Sequence, residues 1–133
     1  MSVTLYGAWD NTPPGANIAY PKIHGKAGGT GTFSDPVTFA SNKDEFAPGS
    51  KVYYPFLKKY FIMEDDCTRC DTDWSNGKKW HIDLWAGNST DPAIGDCERS
   101  LTRSGEVILN PPSNEPVDTT PIFDPDTHRC YRP

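Results

Sequence analysis

Three aspartates sit in or at the end of apolar segments, and paired carboxylates in such surroundings are typical of glycosidic bond cleavage. Asp10 follows "VTLYGAW", Asp65 follows the apolar run "YFIM" and Glu64, and Asp83 lies inside "WHIDLW". One carboxylic acid protonates the leaving oxygen of the bond, and in inverting enzymes a second carboxylate activates water. Apolar neighbours raise a carboxyl pKa towards working pH, and Asp65 shares a strand face with Phe61 and Met63. The alternative, which spacing supports equally, is that Asp65 and Asp83 only bind loop amides.

The four cysteines suggest either a metal site or disulfides. Cys67 and Cys70 form a Cys-x-x-Cys pair, whereas Cys97 and Cys130 stand alone, so a four-ligand zinc site is not favoured. A thioredoxin-like redox pair requires a strand–helix–strand context that the sequence does not indicate. We therefore predict two disulfides, no metal and no cofactor. Three connectivities are open, and bonds that join Cys67 and Cys70 to Cys97 and Cys130, in either order, are favoured.

Other catalytic chemistries lack their motifs. There is no Gly-x-Ser-x-Gly elbow, and the three histidines have no serine or cysteine partner in sequence. His81, in mid-strand between aromatic residues, is better explained as a packed or hydrogen-bonded histidine than as a general base.

The elements that must position these residues are short strands joined by turns. Thirteen Pro and 11 Gly are spread along the chain, and no long apolar run has helical spacing, so the pattern predicts an all-β fold. Alternation places Thr4, Tyr6 and Asp10 on one strand face, and His81 and Asp83 on another. From residue 111 onward, 6 of the 13 prolines fall in an extended tail. The predicted strands occupy residues 3–9, 37–40, 58–65, 80–85 and 105–110, and residues 47–56 are predicted to form a turn followed by a strand.

Composition limits the function classes. A length of 133 residues favours one domain, and the net charge of −5 disfavours a nucleic-acid partner because no basic stripe could neutralise phosphates. No apolar run is long enough to span a membrane. Four cysteines and a sequon at Asn88, a candidate glycosylation site, predict a mature secreted chain whose leader has been removed.

The order of three segments resembles the double-psi β-barrel proteins. "GTGTFSDPVTFA", then "FAPGSKVYYPFLKKYFIMEDDC", then "GKKWHIDLWAG" is similar to the three-aspartate domain of bacterial lytic transglycosylases and to secreted fungal relatives. "LYGAWDN" is similar to the first strand of the inverting fungal endoglucanases built on this barrel. The resemblance covers roughly residues 3–100.

The resemblance implies a six-stranded double-psi β-barrel over residues 1–110, with disulfide-tied loops and a tail over residues 111–133 packed on the same domain. It implies that Asp65 is the catalytic acid and Asp83 its neighbour, with Asp10 as base if the endoglucanase pattern holds. Glu64 and Asp66 compete with Asp65 for alignment with the acid. Predicted substrate-binding residues are Tyr6, Trp9, Trp85 and Thr32.

The implied function is that of a secreted, fungal, muramidase-type glycoside hydrolase that cuts the glycan strands of bacterial peptidoglycan. We expect a monomer. Because a net charge of −5 suits anionic walls poorly, we also expect it to be linked to a separate wall-binding domain. The alternatives are a β-glucanase and a non-catalytic polysaccharide-binding barrel of the expansin, barwin or kiwellin type.

Overall fold

The computed structural model describes all 133 residues, Met1 to Pro133. The fold is mostly β, as predicted, but two helices lie in segments for which no helix was predicted. No helix is long and apolar enough to cross a membrane. The elements, in chain order, are β1 (Ser2–Tyr6), β2 (Val37–Ser41), β3 (Lys51–Tyr54), β4 (Lys59–Asp66), α1 (Thr68–Ser75), β5 (His81–Trp85), α2 (Ala93–Leu101), β6 (Arg103–Ser104) and β7 (Ile108–Leu109).

All seven strands belong to one sheet, in the order β6-β1-β5-β2-β4-β3-β7. Two parallel pairs, β1 with β5 and β2 with β4, meet where β5 runs antiparallel to β2. Parallel neighbours require long crossover connections. Residues 7–80 connect β1 to β5, and residues 42–58, which include β3, connect β2 to β4. The two shortest strands, β6 and β7, lie at the ends of the order.

The core lies along four central strands, β1, β5, β2 and β4, where apolar and β-branched residues predominate. Seven of the eight residues of β4 are buried, so this strand is covered on both faces rather than alternating between core and solvent. Helix α2 packs on β1 through Ile94, Cys97 and Leu101, which recur at helical spacing. Core residues from the four central strands include Val3, Leu5, Phe39, Phe61, Met63, Ile82 and Leu84.

The C-terminal segment from residue 111 lies against the sheet. Ile122 and Phe123 are buried, and the Lys59 ammonium group donates hydrogen bonds to the carbonyl oxygens of Asp118 and Thr120. These bonds satisfy a lysine that is only 1% exposed.

All four cysteines form disulfides, as predicted, but the favoured connectivity is wrong. Cys67 pairs with Cys70, and Cys97 pairs with Cys130. The first turn of α1 brings the Cα atoms of Cys67 and Cys70 to 5.0 Å, and the C-terminal segment returns Cys130 to α2, where its Cα lies 5.4 Å from that of Cys97. The prediction failed because it assumed a loop where α1 forms.

Candidate active site

A cleft opens where β1 and β4 end beside the middle of β5. It consists of two adjoining depressions of about 450 and 440 Å³, which we treat together and call the cleft. Asp10 and Asp83 line both depressions, and Asp65 lines the second. The structure therefore brings the three predicted aspartates together. The residues shared by both depressions are Tyr6, Asp10, Thr12, Cys67, Thr68 and Asp83.

Asp83 is presented to the cleft by the parallel pairing of β5 with β1. In this register Thr4 lies opposite Asp83, and its hydroxyl group donates a 2.9 Å hydrogen bond to Asp83 Oδ1. Burial raises the pKa of Asp83 to about 7, and the negative charges of Asp10 and Asp65 act in the same direction. The Thr4 hydrogen bond and the Arg69 charge oppose that rise. Asp83 is therefore a carboxyl group that exchanges its proton near neutral pH.

Hydrogen bonds connect Asp83 to a more exposed carboxylate through the buried His81. Thr4 Oγ1 lies 2.7 Å from His81 Nε2, and His81 Nδ1 lies 2.9 Å from Asp73 Oδ2. The Asp73 side chain is 39% exposed. The backbone N–H of His81 also donates to both oxygens of Glu45. His81 is thus hydrogen-bonded on both ring nitrogens, and a chain of four groups, Asp73, His81, Thr4 and Asp83, leads from solvent to the cleft.

Asp65 lies at the end of β4, where three donors hold its carboxyl group. The Tyr6 hydroxyl donates to Asp65 Oδ2 at 2.7 Å, and the backbone N–H groups of Ala19 and Asp66 donate to Oδ1 at 2.9 Å each. Burial, reinforced by the Asp65 charge, raises the pKa of Tyr6 well above 10, so Tyr6 keeps its proton. Asp65 therefore orients the aromatic ring that lines the cleft.

Asp10 is exposed and lies beside a buried acid on α2. The backbone N–H of Gly7 donates to Asp10 Oδ1 at 2.8 Å. Glu98 is only 5% exposed, and its Oε2 atom has no hydrogen-bond partner. Burial raises the pKa of Glu98 to about 9, and the neighbouring Asp10 carboxyl group adds to the rise. A neutral acid thus lies beneath the carboxylate of Asp10.

The two acids that compete with Asp65 in the alignment differ in position. Glu64 is fully buried and does not line the cleft, because its Oε2 accepts the backbone N–H groups of residues 22–24 and its Oε1 lies 2.6 Å from His24 Nδ1. Asp66 is largely exposed and lines the second depression, and the partial desolvation of its carboxyl group, together with the hydrogen bond and charge of Asp71, raises its pKa to about 6. Glu64 therefore anchors a loop, and Asp65 and Asp66 remain at the cleft.

Three of the four predicted sugar-binding residues do not line the cleft. Trp85 is 4% exposed and packs edge-to-face on Tyr6 at a centroid distance of 5.3 Å. Trp9 is 47% exposed but lies outside the cleft lining. Thr32 accepts the backbone N–H of Asp35 within the Gly-rich loop. Tyr6 is therefore the predicted aromatic residue that the structure brings to the aspartates.

Four residues of the site were not assigned a role in it from the sequence. They are Thr4, Arg69, His81 and Glu98. The period of two placed Thr4 with Tyr6 and His81 with Asp83, so those faces were available as a signal. Glu98 carried a different signal, because it is an acid on the same helical stripe as Ile94 and Leu101. Arg69 had none, since nothing in its local sequence distinguishes it from a solvated arginine.

One cluster has the residue types of a metal site. The sulfur atoms of Cys67 and Cys70 and a ring nitrogen of His81 lie within 4.8 Å of one another. Because the two sulfur atoms are joined in a disulfide, they are not available as thiolate ligands.

Elsewhere on the surface, the side chain of the sequon residue Asn88 is exposed.

Comparison with known proteins places the chain in a family. The family model described as the DDB_G0273701 N-terminal domain matches residues 1–131. The uncharacterized protein DDB_G0273701/DDB_G0273221 of Dictyostelium discoideum is 43% identical over 132 residues, which cover 98% of this chain and 59% of that protein. The chain thus spans about three fifths of the length of this relative. No solved structure matches the chain. The chain belongs to the DDB_G0273701 N-terminal domain family.

Proposed function

We propose that the protein is a glycoside hydrolase that cleaves wall polysaccharide by acid and base catalysis in the cleft. The observation that carries the proposal is Asp83, whose pKa of about 7 keeps a transferable proton at near-neutral pH, in the same cleft as three further carboxyl groups. Two carboxyl groups in different environments are what inverting cleavage requires.

The roles follow from the contacts. Asp83 donates its proton to the leaving glycosidic oxygen, and Asp10, exposed at the cleft, removes a proton from the attacking water. The resemblance assigns the acid to Asp65, but both oxygens of Asp65 already accept hydrogen bonds, so we assign it the positioning of Tyr6. Water attacks the anomeric carbon from the face opposite the leaving group, so the product has inverted configuration.

Asp83 must recover its proton after each turnover. The chain of hydrogen bonds through Thr4 and His81 to Asp73 offers a path from solvent, with contacts of 2.9, 2.7 and 2.9 Å. A proton moves along it by exchange of the bonds at Thr4 Oγ1 and at the two nitrogen atoms of His81.

Peptidoglycan glycan is the proposed substrate on the strength of the resemblance, and one observation favours a second candidate. The cleft contains four carboxyl groups and one arginine, Arg69. A neutral β-glucan meets no charge repulsion there, whereas the carboxylates of peptidoglycan stem peptides do. A β-glucanase is therefore the alternative.

The finer fold and the location belong to the same proposal. Two parallel strand pairs joined through an antiparallel pair support a double-psi barrel. Two disulfides are compatible with a secreted protein. The protein is proposed to be a monomer that is linked to a separate wall-binding domain.

The test is to incubate the full chain with purified peptidoglycan and with soluble β-glucan and to measure new reducing ends. We expect one polysaccharide to be cut at least about tenfold faster than the other, which identifies the substrate. Identification of the new reducing-end sugar and its anomeric form then reports the bond and the inversion. Binding of either polysaccharide without cleavage would overturn hydrolysis and favour the non-catalytic barrel.

A further inference from the structure

The disulfide between Cys67 and Cys70 lies at the wall of the cleft and has no role in the proposed cleavage. Cys67 directly follows β4 and is the N-cap of α1, an eight-residue helix whose first turn contains Cys70. A Cys-x-x-Cys redox pair requires a strand–helix context, which the sequence did not indicate. Here β4 precedes the pair and α1 follows Cys67, so that context is present.

The two cysteine residues differ in exposure. Cys67 keeps 6% of its surface exposed and lines both depressions of the cleft, whereas Cys70 is fully buried. The cleft therefore leads an incoming thiol to Cys67 rather than to Cys70. In a dithiol–disulfide pair this asymmetry separates the sulfur that is attacked from the sulfur that leaves.

Polar groups around the pair favour a thiolate on Cys67. The backbone N–H of Cys70 donates to Cys67 Sγ at 3.1 Å, and the N-terminus of α1 adds the positive end of the helix dipole. Arg69 lines the same depression, and a ring nitrogen of His81 lies within 4.8 Å of both sulfur atoms. The carboxyl groups of the cleft, from Asp10, Asp65, Asp66 and Asp83, act in the opposite direction and repel an anionic thiol.

We propose that the Cys67–Cys70 disulfide is a redox-active site that accepts two electrons from an uncharged or cationic dithiol bound in the cleft. One thiolate of the dithiol attacks Cys67 Sγ, which forms a mixed disulfide, breaks the Cys67–Cys70 bond and releases Cys70 as a thiolate that takes up a proton. The second thiolate of the dithiol then attacks the dithiol sulfur that is bonded to Cys67 and expels Cys67 as a thiolate. The dithiol leaves as a disulfide, and both cysteines are reduced.

The test compares the two disulfides within the same chain. The folded protein is incubated with graded dithiothreitol, its free thiols are alkylated, and the labelled cysteines are identified by mass spectrometry. We expect Cys67 and Cys70 to be labelled at a dithiothreitol concentration about tenfold lower than Cys97 and Cys130. Simultaneous labelling of both pairs, or earlier labelling of Cys97 and Cys130, would overturn the proposal.

Two single variants test which sulfur is attacked. Cys70→Ser leaves Cys67 as a free thiol at the cleft, and Cys67→Ser leaves Cys70 as a buried thiol. With an uncharged linear disulfide such as 2-hydroxyethyl disulfide, we expect the adduct on Cys67 to form about tenfold faster than that on Cys70. With oxidised glutathione, which is anionic, the Cys67 adduct forms more slowly. Equal rates on the two cysteines would contradict the assignment of Cys67 as the attacked sulfur.

Discussion

Asp83 shows how one residue acquires its chemistry from its neighbours. Its burial beside β1 raises its pKa to about 7, while the hydroxyl group of Thr4 and the charge of Arg69 limit the rise. Asp83 at the centre of an apolar strand was visible in the sequence, as was its shared face with His81. The sequence could not show that Thr4 joins them, because the parallel pairing of β1 with β5 connects residues almost eighty positions apart in the chain.

Thr4→Val removes the hydroxyl group that stabilises the charged form of Asp83, at nearly constant volume. Without that hydrogen bond the pKa of Asp83 rises, so the acid stays protonated to higher pH. We expect the alkaline limb of the cleavage rate to move upwards by about one pH unit. Thr4→Ser keeps the hydroxyl group and should leave the limb in place. A limb that is unchanged or lower in Thr4→Val would contradict the role of this bond.

The two helices differ in how far the sequence could have predicted them. Ile94, Cys97, Glu98 and Leu101 recur at spacings of three and four, and Asp91 accepts the first helical N–H at 2.9 Å, so α2 carried a readable signal. Helix α1 buries only Cys70, and its other residues except Trp74 are polar, so it had no continuous apolar stripe to read. Missing α1 also caused the wrong disulfide connectivity.

The contact between the end of β1 and α2 depends on a residue without a side chain. A Cβ atom on Gly7 would lie 2.8 Å from Ile94 Cδ1 and 3.0 Å from the carbonyl oxygen of Gly87. Gly7→Ala should therefore push β1 away from α2 and lower the free energy of unfolding by about 1–3 kcal/mol. It should also slow cleavage, because the Gly7 N–H holds Asp10.

Urea unfolding measures the effect of this substitution. Gly25→Ala is the matched control, because nothing lies within 4 Å of the Cβ position there. Equal unfolding midpoints for the two alanine variants would show that β1 and α2 are not in close contact.

At the scale of the whole molecule, the buried acids make stability depend on pH. The folded-state pKa values of Asp83, about 7, and Glu98, about 9, lie above their ordinary values, so the folded chain holds protons that the unfolded chain releases. The stability that these groups contribute is complete below pH about 4 and is lost as pH rises towards the folded-state pKa values. Protonation of His24, whose pKa is also raised, acts in the same direction.

We therefore expect the chain to be less stable at about pH 8 than at about pH 5. Glu98→Gln removes one of the titrating groups and should reduce this loss by about 4 kcal/mol. Urea unfolding at both pH values measures it, with the exposed Glu106→Gln as control. A loss of the same size in Glu98→Gln and in the unsubstituted chain would mean that Glu98 is not the buried acid described above.

The two disulfides constrain the unfolded chain to different degrees. Cys97–Cys130 spans 33 positions and ties the C-terminal segment to α2, whereas Cys67–Cys70 spans 3. Replacing the longer bridge with two serines should lower the free energy of unfolding by about 4 kcal/mol, and replacing the shorter one by about 2 kcal/mol. Calorimetry of the two double variants measures the difference, and a larger loss for the shorter bridge would contradict the loop-entropy argument.

The central claim, that Asp83 is the proton donor of a glycan-cleaving cleft, is tested most directly by the cleavage rate of Asp83→Asn. The substitution preserves shape and the contact with Thr4 but removes the transferable proton, so we expect kcat to fall by about 10²–10⁴-fold. Asp126→Asn, an exposed aspartate outside the cleft, should cleave at the unsubstituted rate. A folded Asp83→Asn chain that cleaves as fast as Asp126→Asn would contradict the claim.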